Sequence, residues 1–244
     1  MRLITSRKSE LVDWELYEVM DQMYAVKVDD AYQRGMLFVR YQEYYESPYN
    51  KFRGKNFDLF EFMDHYRKAR GAGSFLYPRE WSGYNIPSNY LTKCYVNLKG
   101  GTPYDDEMGK IIVDVMQDLR VKFSREKAPK FYLIGVDRVE GGIMDHEIAH
   151  ALFYLNTKYR REVTDLVKKL SKRKYEGMRK ILLDLGYREE VIVDEIQAFM
   201  STGLWEDMMK VVSDRDCSPF LKLLSQYRGG IEVPFREYGE GCED

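Results

Sequence analysis

The sequence predicts an α+β protein, with a small β-sheet and a mainly helical C-terminal half. Three observations carry this prediction. Two short runs, "KCYVNL" (93–98) and "KFYLIGV" (130–136), have the β-branched and aromatic bias of strands. From residue 158 to 227 the chain reads as almost wholly helical. Between strand and helices lies an apolar helical stretch, "GGIMDHEIAHALFYL" (141–155), that holds two of the chain's three histidines.

The elements follow in order. Residues 10–27, "ELVDWELYEVMDQMYAVK", place Leu11, Trp14, Tyr17 or Glu18, and Met20 or Asp21 at helical spacing, so a helix is expected there. "RGMLFVRYQEYY" (34–45) mixes β-branched and aromatic residues and fits strand or helix. "NFDLFEFMDHYRKA" (56–69) repeats an aromatic every three or four residues, the mark of a helix. Glycine and proline punctuate residues 70–89, a long ordered loop or the seam between an N-terminal part and the rest. The chain therefore reads as a mainly helical, aromatic-rich region 1–92 and a second region 93–244, with a single compact unit of both as the alternative. In the second, "KCYVNL" is a strand, "KGGTP" a turn, "DEMGKIIVDVMQDLRVKF" (106–123) an amphipathic helix and "KFYLIGV" a strand. Helices are expected over roughly 158–174, 176–185 closed by Gly186, 188–202, 204–212 and 218–227. The last opens with "SPF", a serine cap before a first-turn proline, and ends at "RGG". The acidic end, "REYGEGCED", reads as frayed.

With 244 residues, 44% of them hydrophobic, the chain can bury one large core or two small ones. A net charge of −2 exerts no global pull toward nucleic acid or acidic lipid, so neither is expected as a partner. Cys94, Cys217 and Cys242 form neither a disulfide framework nor a CxxC knuckle, which suits a reducing compartment. With no apolar signal core at the start and no run of about 20 apolar residues, the expectation is a cytoplasmic protein. Residues 158–180 carry ten basic and three acidic side chains, read here as a solvated helix face balanced by acids elsewhere.

The chemistry concentrates in "HEIAH". Histidines at i and i+4 lie one turn apart on a single helical face, so His146 and His150 can reach one ion. Glu147 falls on the flank of that face, where its carboxylate can touch a water near the ion without ligating it. Ile148, Ala151, Leu152 and Leu155 form an apolar back that anchors the helix. An HExxH should arise by chance about 0.003 times in a chain of this composition, so the motif is informative.

With these residues the chain resembles the zincin metallopeptidases. The resemblance implies a zincin-like fold, zinc held by His146 and His150, and Glu147 as general base. It also implies an edge strand ahead of the helix, here "KFYLIGV", that pairs with an extended peptide substrate. The long motif HExxHxxGxxH is absent, since Phe153 and Asn156 stand at its glycine and third-histidine positions. His65, far upstream, does not read as a ligand, so a carboxylate should complete the site. Glu162, Asp165 and Glu176 lie among lysines and arginines and look solvated. In "REEVIVDEIQAFMSTG" (188–203), Ile192, Ile196, Phe199 and Gly203 mark the inner face and Glu195 falls at its edge. A buried acid needs a partner or a metal, which makes Glu195 the third ligand and Asp194, pointing away beside Val191 and Ala198, the runner-up. The resemblance narrows to the gluzincins, with "EIQA" matching their ExxA. The ligand-orienting aspartate four residues after the glutamate is replaced by Phe199, so something else must hold a ligand histidine, with Asp194 and Asp145 as candidates. Tyr154, on the histidine face, is the candidate for polarising a scissile carbonyl, with Tyr187 and Tyr227 left open. The expected function is a zinc-dependent peptidase acting on a peptide or protein. The alternatives are a catalytically silent binding or structural protein of the same fold, or a zinc hydrolase acting on a non-peptide bond.

Overall fold

In the computed structural model, which describes residues 1–98, 100–123 and 130–238, the chain opens with an antiparallel meander. Its strands are β1 (Arg2–Arg7), β2 (Trp14–Met20) and β3 (Met23–Lys27). The helix expected over 10–27 is therefore a hairpin. Trp14 and Leu16 are buried while Glu15 and Tyr17 are half-buried, a period of two that the longer helical spacing had masked. Gln22, at φ 64°, turns the chain between β2 and β3.

Helix α1 (Ala31–Glu46) follows, capped by the Asp30 side chain, which accepts from the Gln33 N–H at 2.8 Å. It settles the ambiguity of 34–45 in favour of helix. Next come α2 (Leu59–Ala69), the short α3 (Tyr77–Glu80), β4 (Tyr84–Pro87), α4 (Ser88–Val96), α5 (Pro103–Phe123) and β5 (Tyr132–Val136). The passage 70–89 thus contains a helical turn and a strand. "KCYVNL" belongs mostly to a helix: Leu91 and Cys94 are buried three residues apart on one face of α4.

The sheet order is β1-β2-β3-β5-β4, with β3 and β5 parallel and β4 antiparallel to β5. β5 has a strand on each side, so its backbone groups are spent within the sheet, and the expected substrate-pairing edge strand is an interior one. α1 packs close over β5, where a Cβ at Gly135 would meet the Phe38 ring at 2.6 Å. A buried ion pair ties α1 to the start of α5: Arg40 Nη1 donates to Asp105 Oδ2 at 2.9 Å, and both side chains are almost fully buried.

Two compact units divide the chain at 139/140, where a boundary at 92/93 had been expected; that point falls inside α4. Residues 1–139 hold the whole five-stranded sheet, so the N-terminal region is not mainly helical alone. The second unit, residues 140–244, is mainly helical. It contains α6 (Gly142–Leu155), α7 (Thr157–Lys169), α8 (Lys172–Asp184), a 3₁₀ turn at Glu189–Val191 and α9 (Ile192–Thr202). After these come β6 (Gly203–Trp205), α10 (Glu206–Met209), α11 (Asp214–Tyr227) and β7 (Arg236–Tyr238), with β6 and β7 paired in parallel.

Helix boundaries shift from expectation for local reasons. Ser171 accepts from the Lys174 N–H and starts α8, so the helix expected to run to 174 breaks before it. α11 starts four residues before "SPF", where the Asp216 carboxylate accepts from the Ser213 N–H at 2.9 Å; Pro219 lies inside the helix. The segment 204–212 begins as strand. Gly186 and the Gly229–Gly230 pair, all at positive φ, end α8 and α11 as expected. The expected frayed end falls largely outside the described residues, as does Cys242.

α9 is the centre of the second unit, packed against α6, α7, α8 and α11. Its residues from Glu195 to Thr202 are all buried. Ile192, Ile196, Phe199 and Met200 each contribute about 1.5–3 kcal/mol through burial, which is what holds two acids of the same helix inside the unit. On the basic stretch, Lys174 pairs with Asp216 and Arg179 with Glu189. No helix among the described residues is long and apolar enough to cross a membrane.

Candidate metal centre

Two glycines admit the chain to α6. Gly141 sits at φ 107°, a conformation that L side chains avoid. At Gly142 a Cβ would approach Arg236 Cδ to 2.8 Å, a contact the flexible arginine side chain can yield. Once α6 is under way, Ile148 and Ala151 are buried on its back. His146 and His150 then project from successive turns, their rings 4.7 Å apart and close to perpendicular. α9 lies against α6 and presents Glu195 from its first turn.

Three donor atoms converge. His146 Nε2 and His150 Nε2 are 3.1 Å apart, and Glu195 Oε2 lies 4.0 Å from the first and 3.7 Å from the second. A triangle with these sides has a circumscribed circle of radius about 2.1 Å, the length of a zinc bond to imidazole nitrogen or carboxylate oxygen. Within the described residues these three are the one cluster of histidine, cysteine and acid side chains able to share an ion. Glu195 Oε2 is buried and has no hydrogen-bond partner. Such an orphaned carboxylate oxygen, facing two imidazole nitrogens, is what a cation would satisfy. The donor set of two nitrogens and one oxygen suits zinc.

The far side of each ring is held. Thr202 Oγ1 donates to Ala198 O at 2.8 Å, so it can only accept from His146 Nδ1, 3.3 Å away. That fixes the proton on Nδ1 and leaves the Nε2 lone pair facing the centre. Asp194 Oδ1 lies 3.0 Å from His150 Nδ1 and fixes the same tautomer there. Asp194 is thus not directed away from the centre; it reaches behind His150 while its neighbour Glu195 reaches in front. Asp145, the other candidate for that task, pairs with Arg228.

Charge tells the same story. Burial, together with the nearby charge of His150, drives His146 well below the ordinary histidine range. Burial also works against a charged His150, but Asp194 and Glu195 outweigh it and hold that imidazole well above the ordinary range. Burial pushes Glu195 up to about 8, with Asp194 and Glu147 adding to the rise and His150 opposing it. Without a cation, the cluster relies on an extra proton at His150 to separate two Nε2 atoms 3.1 Å apart.

Glu147 is buried beside the cluster, and its charge is felt at both His150 and Glu195. The His146 side chain is 15% exposed against 4% for His150, so it is the more open of the two. Tyr154 lies one turn beyond His150 and is half-buried, as is Tyr187. Tyr227 donates its hydroxyl to Glu162 at 2.8 Å and is thereby engaged elsewhere. His65 belongs to the first unit, packed edge-on to Tyr49 and Phe52. Three contributors escaped the sequence: Thr202 behind His146, Gln197, whose amide donates to Asp194 at 2.9 Å, and Tyr159, whose hydroxyl donates to Gln197 at 2.8 Å. For Thr202 and Gln197 the signal was polar residues at buried positions of an apolar helix; Tyr159, on α7, gave none. A depression of about 370 Å³ in the first unit is lined by Arg7, Trp14 and Lys27, among others. There Lys27 is paired with Glu15 and Asp29. Comparison of the chain with protein-family models, with curated proteins and with solved structures returns no match.

Proposed function

We propose that the second unit is a zinc-dependent hydrolase of the gluzincin type, acting on amide bonds of a peptide or protein. The observation that carries this reading is the convergence of His146 Nε2, His150 Nε2 and Glu195 Oε2 on a point about 2.1 Å from each. When bound, zinc supplies the Lewis acidity that acidifies a water and polarises a carbonyl. The chain does the rest. His146 and His150 offer Nε2 lone pairs because Thr202 and Asp194 hold their Nδ1 protons. Glu147 takes a proton from the attacking water on a carboxylate oxygen and gives it to the leaving amine. Tyr154 is the residue assigned to donate its hydroxyl to the carbonyl oxygen. Free, buried Cys94 and Cys217 suit a reducing compartment, which favours the cytoplasm.

The interior position of β5 favours a second reading. With that strand's backbone already paired, an extended peptide has no edge to join there. A non-peptide substrate, or a metal-holding protein without catalysis, needs no such edge. The deciding experiment is Glu147→Gln with zinc content and hydrolysis of a protein substrate measured together. The peptidase reading expects zinc to stay and turnover to fall by about 10²–10⁴-fold. Unchanged turnover rules Glu147 out as the base, and a wild-type chain that holds zinc but cleaves no peptide favours the second reading.

A further inference from the structure

Behind His150 the hydrogen bonds continue for three residues, and each link has a fixed direction. The Asp194 carboxylate can only accept, so it takes both the His150 Nδ1 proton and the Gln197 Nε2 proton on Oδ1, at 3.0 and 2.9 Å. The Gln197 amide is thereby oriented, with its Oε1 turned to receive the Tyr159 hydroxyl at 2.8 Å. Gln197 and Tyr159 are both fully buried, so neither can exchange its partner for water. Tyr159 comes from α7, the other members from α9 and α6.

From this we propose that Tyr159 is a positioning residue for the metal centre, acting through Gln197 and Asp194 to fix the tautomer of His150 and so set how tightly the ion is held. The inference rests on the metal-centre reading. Removing the Tyr159 hydroxyl leaves the buried Gln197 Oε1 without its donor, so the amide is pinned only through Nε2. Its hold on Asp194 loosens, and with it the hold of Asp194 on His150 Nδ1. His146 keeps its own Nδ1 bond to Thr202, which lies outside this chain of bonds.

The test uses the full-length protein and two readouts: zinc affinity by competition with a chromophoric chelator, and the His150 ring nitrogens by NMR in the zinc-free state. Tyr159→Phe should weaken zinc binding about tenfold, and Asp194→Ala by up to about a hundredfold, the range spanned by partners behind a ligand histidine. The slowly exchanging Nδ1 proton of His150 should disappear in both variants while that of His146 persists. Tyr227 is the control: its ring lies 5.2 Å from that of Tyr159, but its hydroxyl serves Glu162, so Tyr227→Phe should leave both readouts unchanged. Should Tyr159→Phe fail to fold, Gln197→Met keeps the volume and cuts the same chain of bonds at its middle. Wild-type zinc affinity and an unchanged His150 signal in Tyr159→Phe or Gln197→Met overturn the proposal while leaving the metal centre standing. A wild-type protein that binds no zinc overturns both.

Discussion

Glu195→Gln should make the metal-free protein more stable and the metal-bound state inaccessible. The amide is nearly the same size as the carboxyl, so the packing of α9 is kept. What changes is ionisation. Burial pushes Glu195 up to about 8 from an ordinary 4.5. A carboxyl whose pKa is raised on folding contributes fully below pH 4.5, and that contribution is lost as the pH climbs toward 8. At pH 7.5 the unfolded chain has released the proton and the folded one has not, a disadvantage of roughly 4 kcal/mol that shrinks to about 1 kcal/mol at pH 5. Glutamine has no such loss. In chelator, hydrogen exchange of α6 and α9 amides, which reads the second unit alone, should show the variant more stable by those amounts at the two pH values. Zinc at a hundredfold excess over its dissociation constant should then stabilise the wild type by about 2.7 kcal/mol and the variant by nothing measurable. A variant less stable than wild type in chelator at pH 7.5, or a gain equal at both pH values, refutes the reasoning.

Two further predictions concern the first unit. Asp105→Ala strips the carboxylate from a guanidinium whose side chain is only 3% exposed, and should destabilise the unit by roughly 3–5 kcal/mol in urea unfolding; a change under 1 kcal/mol would mean that Arg40 is supported without it. Burial pushes Glu43 up to about 7 from 4.5, so Glu43→Gln should add about 3 kcal/mol at pH 7.5 and nothing below pH 4.5, read by hydrogen exchange of β3 and β5 amides. An advantage that does not grow with pH would remove ionisation as its cause.

How much of this was legible beforehand differs by residue. His146 and His150 could be placed because a spacing of four puts two side chains on one helical face whatever surrounds them. Glu195 could be placed because an acid among Ile192, Ile196 and Phe199 must be buried, and a buried acid needs a partner. Asp194 could not be aimed by the same wheel. Its side chain reaches round to the back of His150, a tertiary relation between two helices separated by more than 35 residues in the chain. The hairpin over 14–27 was hidden because Leu11, Trp14 and Tyr17 fit a helical period while Trp14 and Leu16 fit a period of two; their burial beside half-buried Glu15 and Tyr17 decides it for β2, and β3 is buried on both faces. The short apolar "KCYVNL" carried the opposite ambiguity. The interior place of β5 depends on its parallel pairing with β3, more than 100 residues earlier. No local pattern encodes that pairing.

The most direct measurement is zinc titration of the purified chain by calorimetry, with metal content checked by elemental analysis, for the wild type and for His146→Ala, His150→Ala and Glu195→Ala. The account predicts one zinc per wild-type chain and a large loss of affinity in each variant, because each removes one corner of the same triangle. Zinc bound equally well after any one of these substitutions, or no zinc bound by the wild type, would contradict it.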